Sequence, residues 1–403
     1  MAQPGDVVYS LTLELMGMRI GGRHFTRREA ERRIGSLAQL GGTRRVELAE
    51  GRAKGVAAIE FHTGSGLEFT VLPDRGLDIP FCTYKGVNLV FLAPGGVAHP
   101  AFHDPAGFEW LRTFFGGLLT TCGLTYFGDP GRDGEEELGL HGRYAALPAT
   151  QVCDLSRWDG DEFLLEVTGT VTEAALFGDK LRLERSVRSR IGARSLTVLD
   201  RVQNVGYRDS PFTILYHINA GFPLLDGACV LESTSTAAEA YDAAAEAALP
   251  EAASFQPPDP AFPSMGLDYL HTMAADGQGF AWAALINPEL AAGAHAAGPA
   301  GPAGPGGQAG PVGLGLYLKF RADTLPFLNE WKYLAEGDYV VGIEPANTKI
   351  VNRATLRRSG RLPCLRPGET REMEVEIGVL EGPEEIEAFR RRCQGIRAGG
   401  PAR

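Results

Sequence analysis

Thr213-Ile214-Leu215-Tyr216-His217-Ile218-Asn219-Ala220-Gly221-Phe222-Pro223 is a β-branched and aromatic run closed by a glycine and a proline, which reads as a strand. Side chains alternate along a strand, so Leu215, His217 and Asn219 share one face, and Tyr216 and Ile218 the other. A histidine and an asparagine inside an otherwise apolar strand need partners, because an unpaired buried polar group costs about 1–3 kcal/mol. Either His217 is a satisfied core histidine, or it is a proton-transfer group in a lined cleft. The rest of the chain decides between these uses.

Outward from this strand the texture stays β. Residues 56–61, 67–72, 79–84, 163–171, 181–191 and 195–202 read as strands, as do 312–320, 339–343 and 373–379. Charged and apolar residues alternate from Leu181 to Arg188, as in a half-exposed antiparallel strand. No β-α-β rhythm appears, which argues against a doubly wound or barrel α/β fold. The expectation is a mainly β protein of stacked antiparallel sheets with a few short helices, forming a single domain over 1–403 with its core at about 41–380. Thr26 and Glu29 have capping-box spacing and predict a helix over 26–40, ending at Gly41-Gly42. Pro383 opens a last amphipathic helix over 383–395. Residues 233–253 read as a surface excursion with weak helical tendency.

Composition excludes several classes. The 403 residues carry 50 acidic and 39 basic side chains, a formal charge of −11, which disfavours nucleic acid or an anionic membrane as partner. Glu14 interrupts the only apolar N-terminal run, so no secretory leader is expected. Six cysteines without a C-x-x-C pair fit reduced thiols and a cytoplasmic location. Glycine recurs every third residue from Gly298 to Gly313, which is collagen spacing but too short for a triple helix; a flexible loop over 291–311 is expected.

Several stretches could carry chemistry. Arg75 lies in Asp74-Arg75-Gly76-Leu77-Asp78, at a bend between two strands, where its guanidinium could grip sugar hydroxyls or a phosphate, or pair with Asp74 or Asp78. Gly116-Gly117-Leu118-Leu119-Thr120-Thr121-Cys122-Gly123 allows close approach of a ligand or tight packing; it is no P-loop, and no base stands beside Cys122. In Leu140-His141-Gly142-Arg143 an extended backbone would face His141 and Arg143 the same way. His99, His103 and Asp104 have helical metal spacing, but Pro100 and Pro105 oppose a helix, and no metal is expected. Trp331 could stack on a sugar or fill the core. Glu344 emerges from an apolar strand just before Pro345, with Asn347 beyond, as a structural acceptor or a general base.

Taken together, Leu140-His141-Gly142, Tyr216-His217-Ile218-Asn219 and Ile343-Glu344-Pro345 resemble, in order, the two histidine motifs and the glutamate of the galactose mutarotase-like superfamily of aldose 1-epimerases. Tyr216 departs from that pattern, which has an asparagine there. Asp74–Ile79, the Gly117–Gly123 stretch, Leu140–Arg143 and Glu330-Trp331-Lys332 resemble more closely an aldose 1-epimerase-like branch known as DUF4432. This resemblance covers roughly 25–380. It implies a β-supersandwich with a sugar across one concave sheet, and a cofactor-independent isomerase interconverting anomers. It further implies Glu344 as base, His217 as acid and His141 beside the ring oxygen, with Arg75, Arg143, Asn219, Trp331 and Asn347 binding the sugar. A sugar-binding or sensing protein, or an epimerase of a phosphorylated or modified sugar, are the alternatives.

Deleting 298–310 is expected to shift the melting temperature little, because surface loops make few contacts; a large fall in a thermal melt would contradict the loop reading.

Overall fold

The computed structural model describes residues 17–292 and 312–399. The glycine-proline segment therefore lies outside the described residues for almost its whole length. Three antiparallel sheets dominate. A six-stranded sheet runs in the order Ser235–Ala240, Leu267–Met273, Phe327–Leu334, Tyr339–Ala346, Thr213–Gly221, Thr120–Leu124. A nine-stranded sheet is built on the long strands Glu162–Ala174, Lys180–Arg190, Ser195–Asn204, Thr370–Glu381, Val312–Arg321 and Phe280–Ala291. A five-stranded meander spans Gly42–Glu47 to Val87–Asn88. The strands read from the sequence all form, most of them a residue or more longer.

The local reason is side-chain alternation. Along Lys180–Arg190, Leu181, Leu183 and Val187 are buried, whereas Arg182, Glu184 and Arg188 are at least partly exposed. Those apolar residues join Ile214, Tyr216 and Ile218 of the six-stranded sheet and Phe61, Phe69 and Ile79 of the meander in one hydrophobic cluster.

One inward position breaks the apolar rule. Arg185 points into the core with its side chain fully buried, held by Asp200 (2.8 and 2.7 Å) and Asp78 (2.9 Å). Thr121 Oγ1 accepts from Arg185 at 2.9 Å and donates to Asp78 at 2.6 Å, and the Tyr216 hydroxyl donates to Asp200 at 2.7 Å. This network links all three sheets.

The helices differ from expectation. Thr26 and Glu29 do form a capping box, but the α-helix is only Arg27–Glu31. Gly35 interrupts, and Ser36 caps a separate 3-10 turn at Leu37–Gln39 with Gln39; a second capping site within the stretch ends the first helix early. Within 233–253, Ser235–Ala240 becomes the edge strand of the six-stranded sheet before a helix at Ala243–Ala248. The last helix runs Pro383–Arg397 and buries Ile386, Phe389, Cys393 and Ile396 against the Trp282 strand.

Replacing Arg185 with Met would leave two aspartates buried without a counter-charge. R185M is expected to lose about 3–5 kcal/mol in urea unfolding at neutral pH. A loss below about 1 kcal/mol would mean that the network contributes no net stability.

Candidate active site

The face of the six-stranded sheet opposite that network holds the polar cluster. Sheet register puts His217 across from Glu344, with Thr120 flanking His217 and Asn329 flanking Glu344. His217 Nε2 lies 3.1 Å from Glu344 Oε1, yet the ring and carboxyl are not aligned for a hydrogen bond, and both Glu344 oxygens lack a partner. Gly342, two residues before Glu344 and so on the same face, makes this possible: a Cβ there would lie 2.3 Å from Glu344 Oε1 and 3.1 Å from the His217 ring. His141 completes the group, with its ring 5.7 Å from that of His217 and edge-on to it.

Aromatic rings enclose these three. Phe114 lies 5.4 Å from the His217 ring, Trp331 5.7 Å from it, and Trp110 4.8 Å from the His141 ring. Glu344 is only 1% exposed, whereas Trp331, His141 and Asp268 are half-buried. A wider groove of about 1060 Å3 crosses the outer face of the nine-stranded sheet. It contains none of the histidines, and its charges are neutralised in pairs such as Arg201–Glu184 at 3.3 Å.

Burial sets the protonation states. It holds the Glu344 carboxyl well above the usual carboxylate range, with the negative charge of Asp268 adding to the effect. It holds His217 well below the usual imidazole value, helped by His141 and opposed by the neighbouring Asn219 side chain, and brings His141 down to about 4. Both shifts favour the uncharged forms, a protonated carboxyl beside a neutral imidazole.

The structure sorts the remaining sequence candidates. Trp331 faces the site, its indole N–H bonded to the Met265 carbonyl at 3.1 Å. Asn219 is fully buried; its amide nitrogen donates to the carbonyls of Gly117 and His217, while its oxygen has no partner.

Arg75 does not join the group. Its guanidinium donates to the carbonyls of Ala145 (2.5 Å), Ala98 (2.7 Å) and Thr113 (3.1 Å) and lies over the Phe115 ring. Neither expected ion pair forms, since Asp74 accepts from the Ala57 amide and Asp78 pairs with Arg185. Asn347 is likewise spent on backbone, accepting from Ile214 N and donating to Phe212 O.

His141 and Arg143 do not sit on an extended backbone. Both His141 (φ 56°) and Gly142 (φ 75°) are left-handed, which turns exposed Arg143 towards Glu173. Gly142 is packed against the Tyr126 and Gly123 carbonyls, where a Cβ would clash at 2.3 and 2.7 Å, so the glycine serves packing. His99 accepts from the Ala101 amide in a 3-10 turn, and among the described residues no cluster has the makings of a metal site.

Two polar residues of the site escaped the sequence reading. Asp268 stands across from Trp331 and so shares the site face. Tyr241 donates to Asn329 Oδ1 at 2.9 Å and accepts from Ile350 N. The signal for Asp268 was the one used for His217, a polar residue inside an apolar strand (Gly266-Leu267-Asp268-Tyr269-Leu270). Trp110 and Phe114 come from a loop and carry no periodic signal.

A sandwich of stacked antiparallel sheets like this one has the galactose mutarotase-like fold, the class to which its structural neighbours point. The chain belongs to the DUF4432 family, a domain of unknown function, whose family model matches residues 53–297 and 307–379. In structure it is similar to a candidate aldose 1-epimerase from Klebsiella pneumoniae, with a TM-score of 0.77 and 21% identity over 93% of this chain and 95% of that one. It is also similar to a galactose mutarotase-like protein from Clostridium acetobutylicum (TM-score 0.56, 15% identity, 85% of this chain and 99% of that one). A galactose 1-epimerase from Lactobacillus acidophilus is similar as well (TM-score 0.51, 14% identity, 85% and 100%). Identities this low carry the fold alone. No curated protein matches the chain. No helix among the described residues is long and apolar enough to cross a membrane.

The half-buried Asp268 gives a pH signature. Burial, together with Asp129, Asp242 and Glu330, pushes its carboxyl up to about 7. A raised carboxyl value means that the folded state binds the proton more tightly than the unfolded one. Its destabilising effect is absent below about pH 4 and complete above about pH 7. Asp268→Asn removes that effect, so the melting temperature of D268N minus that of wild type should be more positive at about pH 8 than at about pH 4. An equal difference at both pH values would show that Asp268 titrates normally.

Proposed function

We propose that this protein interconverts the anomers of a sugar by acid–base ring opening and closure, with no cofactor. The observation that supports this best is the set of buried polar atoms with no partner, converging from two strands and a turn: both oxygens of Glu344, Nδ1 of His217 and of His141, and Oδ1 of Asn219. Each costs stability while unpaired, and a polyhydroxylated ligand would satisfy them together.

The reaction needs a base at the anomeric hydroxyl and an acid at the ring oxygen. Passing the one shared proton from Glu344 to His217 makes a carboxylate and an imidazolium without net charge. The carboxylate then takes the anomeric hydroxyl proton as the imidazolium protonates the ring oxygen and the C1–O5 bond breaks. Rotation about C1–C2 presents the other carbonyl face, and closure returns both protons. His141 is placed to orient the ring oxygen, and Trp331 to take a face of the sugar. Arg75, Asn347 and Arg143 have no part in this scheme, given their observed partners and positions.

Glu344→Gln keeps size and hydrogen-bonding capacity but removes the base. E344Q should still bind sugar, while anomer exchange measured by NMR falls about 100-fold or more. His217→Asn should lose a comparable factor, and the two losses should combine less than multiplicatively, since both groups serve one proton path. If the wild type binds aldoses but exchanges none faster than buffer does, the site is a sugar sensor instead.

A further inference from the structure

The site holds two carboxyl groups and, among the described residues, no lysine or arginine paired with either. Glu344 and Asp268 share one face of the six-stranded sheet two strands apart. Asp129 and Asp242 add negative charge near Asp268. The arginines that the sequence offered for an anionic group lie elsewhere, Arg75 buried on three carbonyls and Arg143 exposed on the Glu173 side. The rings of Trp331 and Phe114 stand around the same space, 5.7 and 5.4 Å from the His217 ring.

An ammonium group placed among these carboxyl groups and aromatic rings draws the carboxyls into their ionised forms and meets the rings as a cation. The same field repels a phosphate or a carboxylate, which would find no guanidinium to receive it. Resting on the reading of this site as a sugar site, we infer that its preferred ligand is an amino-substituted sugar in its ammonium form, and that phosphorylated and acidic sugars are rejected.

The test compares three series near pH 7 by titration calorimetry and NMR exchange. These are glucose, galactose and mannose; their 2-amino-2-deoxy forms with the N-acetyl derivatives; and their 6-phosphates. The amino sugars should bind at least about tenfold more tightly than the parents. The N-acetyl forms, which keep bulk but lose the charge, should show no gain, and the phosphates should bind at least about tenfold more weakly than the parents. In D268N the ratio of amino-sugar to parent affinity should fall towards one, whatever happens to the parent affinity itself.

Phosphates binding as well as the parents, or amino sugars gaining nothing, would overturn the inference. If the parents are exchanged normally in that event, the proposed activity stands. If no sugar of any series binds, both readings fall together.

Discussion

A guanidinium with no access to water, Arg185, is the constraint on which the three sheets depend. Its two aspartates come from different sheets, Asp78 from the meander and Asp200 from the nine-stranded sheet, and Thr121 and Tyr216 attach it to the six-stranded sheet. A buried charge of this kind is tolerable only when several hydrogen bonds answer it, so the sheets must meet in one relative position. Thr121 and Tyr216 each directly neighbour a residue of the opposite face, Thr120 and His217. Fixing their side chains towards the network therefore fixes His217 towards the site.

The site is built by the opposite logic. Within the Arg185 network the charged groups meet partners, whereas on the site face several buried polar atoms are left without them. Those unpaired atoms cost stability, and Gly342 permits the arrangement, since a Cβ there would overlap the carboxyl of Glu344 beside His217. The low exposure of Glu344 makes its carboxyl a weak acid, which is the state a proton-exchanging pair needs at neutral pH.

Arg75 supports this arrangement from outside. The three carbonyls it holds belong to separate segments around the site, one beside Phe114 and one four residues from His141. A residue that reads in sequence as a substrate clamp is in space a tie between loops, and its burial lowers its pKa only to about 10, leaving it cationic at neutrality.

What the sequence determined by itself was whatever depends on neighbours along the chain. Strand alternation is a local geometric rule, so the β class, the long strands and the shared face of Leu215, His217 and Asn219 were legible from it. The motif residues His141, His217 and Glu344 were legible too, and the structure brings them together. Their roles in catalysis remain the proposal made above. What only the tertiary structure decided was the partner of each polar side chain. Arg75 reached carbonyls instead of open space, Arg143 was turned aside by two left-handed residues, and Asp78, Thr121 and Tyr216 were claimed by Arg185. Asp268, Trp110 and Phe114 entered the site from a strand and a loop remote from its motifs. Hydrogen bonds and charges are satisfied across sheets by groups distant in the chain, so no local pattern could have assigned them.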